Sequence, residues 1–255
     1  MRLVRVRAGG HDRWGRIDAD RVVLLDGSLA DGFRDTVESV RLDGTALLAP
    51  VQPSKIVALA SNYASHAAEM GKPIPTEPKL FLKAPSALIG PGAPILIPPR
   101  TTRVDPEGEL ALVIGRRLSR PSPQEALDAI WGYTCLNDVT CRDFQKADGV
   151  FTRAKGFDTF CPVGPWVETE LDPSDLLVQT IVNGKVRASG RTSEMIFNLA
   201  EQLCAIASVM TLLPGDVVST GTPPGVSPIQ AGDVVEVLIE GIGRLSNPVE
   251  DRDDR

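Results

Sequence analysis

Two acids, Glu107 and Glu109, stand two residues apart in the stretch "VDPEGELALVIG" and open a run that is otherwise Leu, Ala, Val and Ile. In a strand, side chains alternate between faces. Glu107, Glu109, Ala111 and Val113 then share one face, and Gly108, Leu110, Leu112 and Ile114 share the other. Past the acids both faces are apolar, which predicts a strand buried on both sides. Carboxylates at the mouth of such a strand are costly unless they are paired or bound to metal. Two on one face also repel each other, and a hard divalent cation relieves both costs. An exposed strand start, or pairing with Arg100 or Arg103, would account for the same pair.

Four further stretches carry chemistry of the same kind. In "YTCLNDVTCRDFQKADG", Asp138, Arg142 and Gln145 fall at helical spacing. A helical turn starting near Asp138 would bring a carboxylate, a guanidinium and an amide onto one face. A guanidinium suits a substrate carboxylate because it donates two parallel hydrogen bonds; an N-cap aspartate before a solvated helix fits equally. In "SNYASHAAEM", His66 and Glu69 are i and i+3. A carboxylate there orients an imidazole and raises its basicity, making a water-activating dyad; a surface helix is the bland alternative. Lys155 sits among apolar and Gly residues in "AKGFDTF", either as an electrostatic catalyst or as a surface lysine. "STGTPPGV", with Thr222, is a Gly-Pro loop suited to close approach of backbone to a ligand, or a plain turn.

The elements that must position these residues are mostly strands. "RLVRVRA" and "DRWGRIDA" predict a hairpin and "RVVLLDG" a third strand; residues 28–48 are expected to hold a helix. Residues 49–55, with two prolines, read as a linker. This divides the chain into a small unit at 1–50, a body at 55–249 and a frayed tail at 250–255. "KIVALA" and "LFLK" read as strands, and Asn183-Gly184 as the turn of a hairpin. Ile196, Leu199, Leu203, Ile206 and Met210 recur at helical spacing and predict a helix over 195–210.

Composition limits the function. The chain has 255 residues, 42% hydrophobic and 24% charged, with a net charge of −6, so nothing draws it to nucleic acid or to an anionic membrane. The 23 glycines and 21 prolines favour strands and turns over long helices. No apolar run has signal-peptide or membrane-span length, and the four cysteines lack CxxC spacing, which predicts reduced thiols in a cytoplasmic protein. There is no GxSxG and no P-loop, and the two histidines leave little for a His-rich metal site.

The order of the motifs is more specific than any one of them. "ASNYASHAAEMG", "PKLFLKAPSALIGPG", "EGELALVIG", "GYTCLNDVTCRDFQ", "AKGFDTFCPVGP", "TSEMIF" and "LLPGDVVSTGTPPGV" occur in a succession that resembles the fumarylacetoacetate hydrolase family. The resemblance runs from about Lys55 to Val249; the first 50 residues match only loosely, and Ala60 stands where many members have glycine. It implies an α+β, β-rich fold around a mixed, rolled sheet, and a homodimer. It implies a Mg²⁺, Mn²⁺ or Ca²⁺ site at Glu107, Glu109 and Asp138. It places the catalytic His-x-x-Glu of a mobile lid, residues 64–78, on His66 and Glu69, the active-site lysine on Lys155, and substrate contacts on Arg142, Gln145 and Thr222. The implied activity is on 2-oxo and 2,4-dioxo carboxylic acids through a cation-stabilised enolate: C–C hydrolysis first, isomerisation or decarboxylation as alternatives. A non-catalytic ligand-binding relative is the reading from another class.

Overall fold

The run from Glu109 to Ile114 is buried on both faces, as its alternation predicts: Leu110, Leu112 and Ile114 enter one apolar cluster, Ala111 and Val113 another. This strand, Gly108–Ile114, lies inside a twelve-stranded mixed sheet. The computed structural model describes every residue except Gly44, Met70, Lys72, Asp254 and Arg255.

The strands used below are, in chain order, β1 (Arg2–Ala8), β2 (His11–Asp18), β3 (Arg21–Ser28), β4 (Gly32–Arg41), β5 (Ile56–Ala60), β6 (Lys79–Lys83), β7 (Gly108–Ile114), β8 (Ile130–Asn137), β9 (Cys161–Glu168), β10 (Leu177–Val182), β11 (Lys185–Arg191), β12 (Val217–Ser219), β13 (Val234–Ile239) and β14 (Gly243–Asp251). The helices used below are α1 (Ala64–Glu69), α2 (Arg142–Asp148), α3 (Thr152–Lys155) and α4 (Leu199–Val209); a further one spans Pro123–Asp128. The large sheet has the order β4-β3-β2-β1-β9-β8-β7-β12-β5-β6. Neighbours in that order are antiparallel except β12 and β5, which run parallel with Val217 opposite Ile56; the two remaining strands, Leu47–Leu48 and Leu88–Ile89, pair with β1 antiparallel and with β9 parallel. A second sheet, β11-β10-β13-β14 with Ile95–Ile97, packs its Val178, Val237, Ile239 and Leu245 onto the same core as Leu110 and Leu112. The expected β-rich mixed architecture is therefore present.

Local chemistry explains most boundaries. Asn183 and Gly184 take φ of 50° and 73°, the two left-handed positions of a type I′ turn, and join β10 to β11 as expected. Three expectations need correction. The helix placed in residues 28–48 is instead strand β4, paired with β3. Val23 lies opposite Ser39 but Leu25 lies opposite Asp35, so a bulge interrupts the two-residue period that would have identified a strand. The helix expected over 195–210 begins only at Leu199, because Asn198 caps it: its side chain accepts from the Glu201 N–H, and Glu201 accepts from the Asn198 N–H. The tail expected at 250–255 is paired through Asp251, opposite Ile97; Asp254 and Arg255 lie outside the described residues.

The N-terminal strands extend the large sheet, with Leu3 opposite Val167. The stretch 49–55 is anchored to the body by Asp216. This buried carboxylate accepts from the Ser54 and Lys55 backbone N–H groups at 3.0 and 3.1 Å and from the Lys55 ammonium at 2.5 Å.

Candidate active site

The carboxylate cluster forms where β7 and β8 meet. Gly108 lies opposite Asn137, so Glu107 and Asp138 are the residues just beyond the paired ends. The Asp138 N–H donates to the Glu107 carbonyl at 2.8 Å, and the Glu107 N–H donates to the Asn137 side chain at 2.9 Å. Glu109 enters from the same face of β7. Oxygen atoms of Glu107, Glu109 and Asp138, all buried, lie within 4.8 Å of one another.

Each carboxylate is stabilised differently. Glu107 accepts from Arg142 Nη2 at 2.6 Å and from Lys155 Nζ at 2.7 Å. Burial pushes its carboxyl up, but the Lys155 and Arg142 charges outweigh this and hold it well below the usual range. Asp138 accepts from Lys83 Nζ at 2.6 Å and from Lys155 Nζ. Glu109 has no cationic hydrogen-bond partner among the described residues. Its Oε2 accepts from Ser219 Oγ at 2.5 Å and from the Gly221 N–H at 2.8 Å. Burial, then the Asp138 charge, push its carboxyl up to about 8. Burial alone would depress Lys155; the Asp138 and Glu107 charges more than offset this and raise it.

The cluster fits a hard divalent cation. All three donors are oxygens, no His or Cys among the described residues joins them, and Glu109 has no cationic hydrogen-bond partner there, a place a cation would fill. Three carboxylates leave room for the remaining octahedral positions that Mg²⁺ or Mn²⁺ needs.

The other predicted residues converge on the same place. Glu107, Glu109, His66, Arg142, Gln145, Lys155 and Thr222 line one cavity of about 30 Å³, with Leu59, Ala60, Ser61 and Phe151 completing its wall. His66 and Glu69 lie on α1, and His66 Nδ1 is 3.1 Å from Glu69 Oε2. Glu69 also accepts from the Gly225 N–H at 3.1 Å, which ties α1 to the loop after β12. Gly225 has φ of 109°, and a Cβ there would lie 2.1 Å from the Arg187 carbonyl oxygen. In the same loop Thr222 Oγ1 donates to the Gly108 carbonyl at 3.0 Å. A Cβ on Gly221 would meet the Asn62 Cβ at 2.8 Å, so glycine is what lets this loop reach Glu109.

One expectation about position is corrected. Asp138 is not on a helical face with Arg142 and Gln145, because Thr140–Cys141 pairs with Val104–Asp105 and α2 starts at Arg142. Arg142 and Gln145 share α2 and a 2.9 Å hydrogen bond, and Arg142 reaches Glu107 instead of Asp138. The alternative reading, pairing of the glutamates with Arg100 or Arg103, is not seen among the described residues; Arg103 binds Asp105.

Sequence reasoning missed three residues. Lys83, only 1% exposed, holds Asp138 and also donates to the Lys155 carbonyl at 2.9 Å. Its signal was a charge closing the apolar "LFLK", the same pattern that singled out Glu107 and Glu109. Asp105, fully buried, fixes Arg142 through Nε at 2.7 Å. Ser219, which binds Glu109, opens the "STGTPPGV" stretch, but nothing in its type sets it apart there from Thr222.

Known proteins bear out the resemblance. The fumarylacetoacetate (FAA) hydrolase C-terminal model matches residues 55–250. The chain belongs to the fumarylacetoacetate hydrolase family. An Rv2993c-like N-terminal model matches residues 1–50. Protein Rv2993c of Mycobacterium tuberculosis is 52% identical over 84% of this chain and 82% of its own length. A 2,4-didehydro-3-deoxy-L-rhamnonate hydrolase of a Sphingomonas species is 39% identical over 95% of this chain and 94% of its own. Among solved structures, a 5-carboxymethyl-2-hydroxymuconate delta-isomerase from Mycobacterium smegmatis superposes with a TM-score of 0.93 at 43% identity, covering 99% of this chain and 100% of that one. A maleylpyruvate hydrolase from Sphingobium, in complex with manganese(II) and pyruvate, gives 0.82 at 29% identity with the same coverage. The family's enzymes thus include hydrolases and isomerases. No described helix is long and apolar enough to cross a membrane, and the four cysteines are free.

Proposed function

We propose that this chain hydrolyses a C–C bond in 2,4-dioxo carboxylic acids, with Mg²⁺ or Mn²⁺ held by Glu107, Glu109 and Asp138. The observation that carries this reading is that His66, held by Glu69 at 3.1 Å, shares one cavity with Glu107 and Glu109 of the carboxylate cluster. A bound cation would supply Lewis-acid polarisation of the 2-oxo acid head. Arg142 and Gln145 orient the substrate carboxylate from α2. With the imidazole proton on Nδ1 and donated to Glu69, Nε2 is free to take a proton from water as that water attacks the far carbonyl. Glu69 stabilises the imidazolium that results; the bond between the attacked carbon and the carbon between the two carbonyls then breaks, the head leaves as the enolate of a 2-oxo acid, and the imidazolium returns its proton to that carbon as the tail departs as a carboxylic acid. The Lys155 ammonium faces the negative charge that develops on the attacked oxygen. Thr222 lines the same wall and positions the bound acid. Residues 64–78 act as a lid that excludes water, of which Met70 and Lys72 lie outside the described residues.

Two names among the relatives support hydrolysis: the 2,4-didehydro-3-deoxy-L-rhamnonate hydrolase, and the maleylpyruvate hydrolase with manganese(II) and pyruvate. The 43% identical delta-isomerase favours a second reading, in which His66 moves a proton between carbons and no water attacks. A purely binding relative would have no use for His66, Glu69 and Lys155 together. Residues 1–50 form a small N-terminal subdomain, 55–249 the catalytic domain, and the working unit is a cytoplasmic homodimer. The test is turnover of 2,4-dioxo acids, oxaloacetate and hydroxymuconate-type dienes, with Mg²⁺ and with EDTA. Hydrolysis of the dioxo acids, lost in EDTA, is expected; isomerisation of the dienes alone would overturn the hydrolase reading. Light scattering tests the dimer, and a monomer at micromolar concentration would refute it.

A further inference from the structure

The cavity is chemically two-sided, and the apolar residues of its second side have no role in the chemistry above. Glu107 divides it. Arg142 binds Glu107 Oε1 from α2, beside Gln145, and Lys155 binds Oε2 from the end of α3. On the Lys155 side stand two aromatic rings. Phe81 and Phe151 lie 4.8 Å apart, with Lys155 Nζ 4.7 Å from the Phe81 ring and 5.8 Å from the Phe151 ring. Phe81 is on β6, opposite Ala58 of β5, and the end of β5 gives the cavity Leu59 and Ala60. His66 follows directly on α1. The carbonyl that water attacks must lie at His66, so the group attached to that carbonyl must face Leu59, Ala60 and Phe151.

We propose that this wall selects the acyl tail of the substrate, and that the tail is uncharged and apolar instead of ending in a second carboxylate. The inference rests on the hydrolase reading and narrows it. The two Lys/Arg side chains among the described lining residues are already engaged. Arg142 serves Asp105, Glu107 and, when substrate is bound, the head carboxylate; Lys155 serves Glu107, Asp138 and the attacked oxygen, so neither is left for a second carboxylate. A tail carboxylate against Leu59, Ala60 and Phe151 would lose its hydration and, among the described lining residues of this wall, find only the neutral Ser61 hydroxyl and no free cation. Lys79, the cross-strand partner of Ala60, is exposed and outside the cavity lining, so only a tail that leaves the cavity could reach it.

The experiment compares three 2,4-dioxo acids with one head group: 2,4-dioxopentanoate, 2,4-dioxoheptanoate and 2,4-dioxoheptanedioate. With Mg²⁺ present, kcat/KM for both uncharged tails is expected to exceed that for the carboxylate tail by at least about tenfold, chiefly through KM. Phe151→Arg should narrow or invert that ratio, and retained Mg²⁺ binding by calorimetry shows that the variant is folded. Lys79→Ala should leave all three values unchanged. Equal or better use of the carboxylate-tailed acid by the wild-type enzyme overturns the inference, as does its selective loss in Lys79→Ala. Those outcomes leave the hydrolase reading intact. Turnover of none of the three, with a hydroxymuconate-type diene accepted, defeats that reading and the tail inference with it.

Discussion

Replacing His66 by alanine removes the only imidazole of the cavity without touching a carboxylate of the cluster. General-base catalysis supplies about 10²–10⁴-fold, so hydrolysis of a 2,4-dioxo acid by His66→Ala is expected to fall by that factor, in kcat more than in KM. Glu69→Gln is a finer probe. It exchanges a charge-assisted bond at 3.1 Å for a neutral one, a difference of about 1–1.5 kcal/mol, or roughly 5- to 15-fold. Glu69 is 35% exposed, so solvent screening places the effect at the lower end of that range. If Glu69 acts only through His66, the double variant is no slower than His66→Ala alone. Loss of the enol absorbance of the dioxo acid follows hydrolysis. Deuterium exchange at the carbon between the carbonyls follows enolisation, which should survive in part. Calorimetry with Mg²⁺ should give wild-type affinity for both single variants. Hydrolysis within about threefold of wild type in His66→Ala would refute the dyad. A Glu69→Gln variant as slow as His66→Ala would assign the base to the glutamate.

Glu109→Gln removes the one cluster carboxylate without a cationic partner and is expected to weaken Mg²⁺ binding by more than about a hundredfold; an unchanged calorimetric titration would contradict the site. Asp216→Asn puts an amide donor among backbone donors and breaks the Lys55 pair. It should cost about 2–4 kcal/mol and lower Tm by roughly 5–15 °C, and a shift under about 2 °C would count against this role. Burial alone would raise the Glu168 carboxyl, but the N-terminal ammonium at 2.8 Å and Arg2 hold it below its ordinary 4.5. A depressed carboxylate contributes stability above its unfolded value and loses it as pH falls through its folded value. Glu168→Gln should therefore flatten the decline in urea-unfolding free energy below about pH 4.5; an unaltered acid limb would refute this.

The carboxylate strand was legible because burial on both faces leaves no solvated side to explain two acids, and strand alternation puts them together. The Asn183-Gly184 turn was legible because two successive left-handed residues need those types. The partners of Lys83 and Asp105 were not legible: Asp138 and Arg142 lie far along the chain, and although a charge closes "LFLK" at Lys83, no local period encodes a long-range ion pair. β4 was misread because its bulge hides the strand period. Asp138 was placed on a helix because +4 and +7 spacing looks the same whether or not a bridge at Thr140 intervenes.

The strand β12 enters the sheet between β7 and β5, parallel to β5. In synthesis order it comes late: roughly 160 residues separate Ile56 from Val217, about 8–32 s of translation at 5–20 residues per second. During that interval β5 and β7 can pair with their other neighbours, but their facing edges stay open, and open apolar edges invite pairing with other chains. Glu109 meanwhile has neither Ser219 nor Gly221 to satisfy it. A nascent chain halted before Val217 thus has no catalytic floor and exposes two adhesive seams at its centre. Expression yield then depends on how fast the message between Ile56 and Val217 is read, and on what shields the polypeptide until that short strand closes the gap.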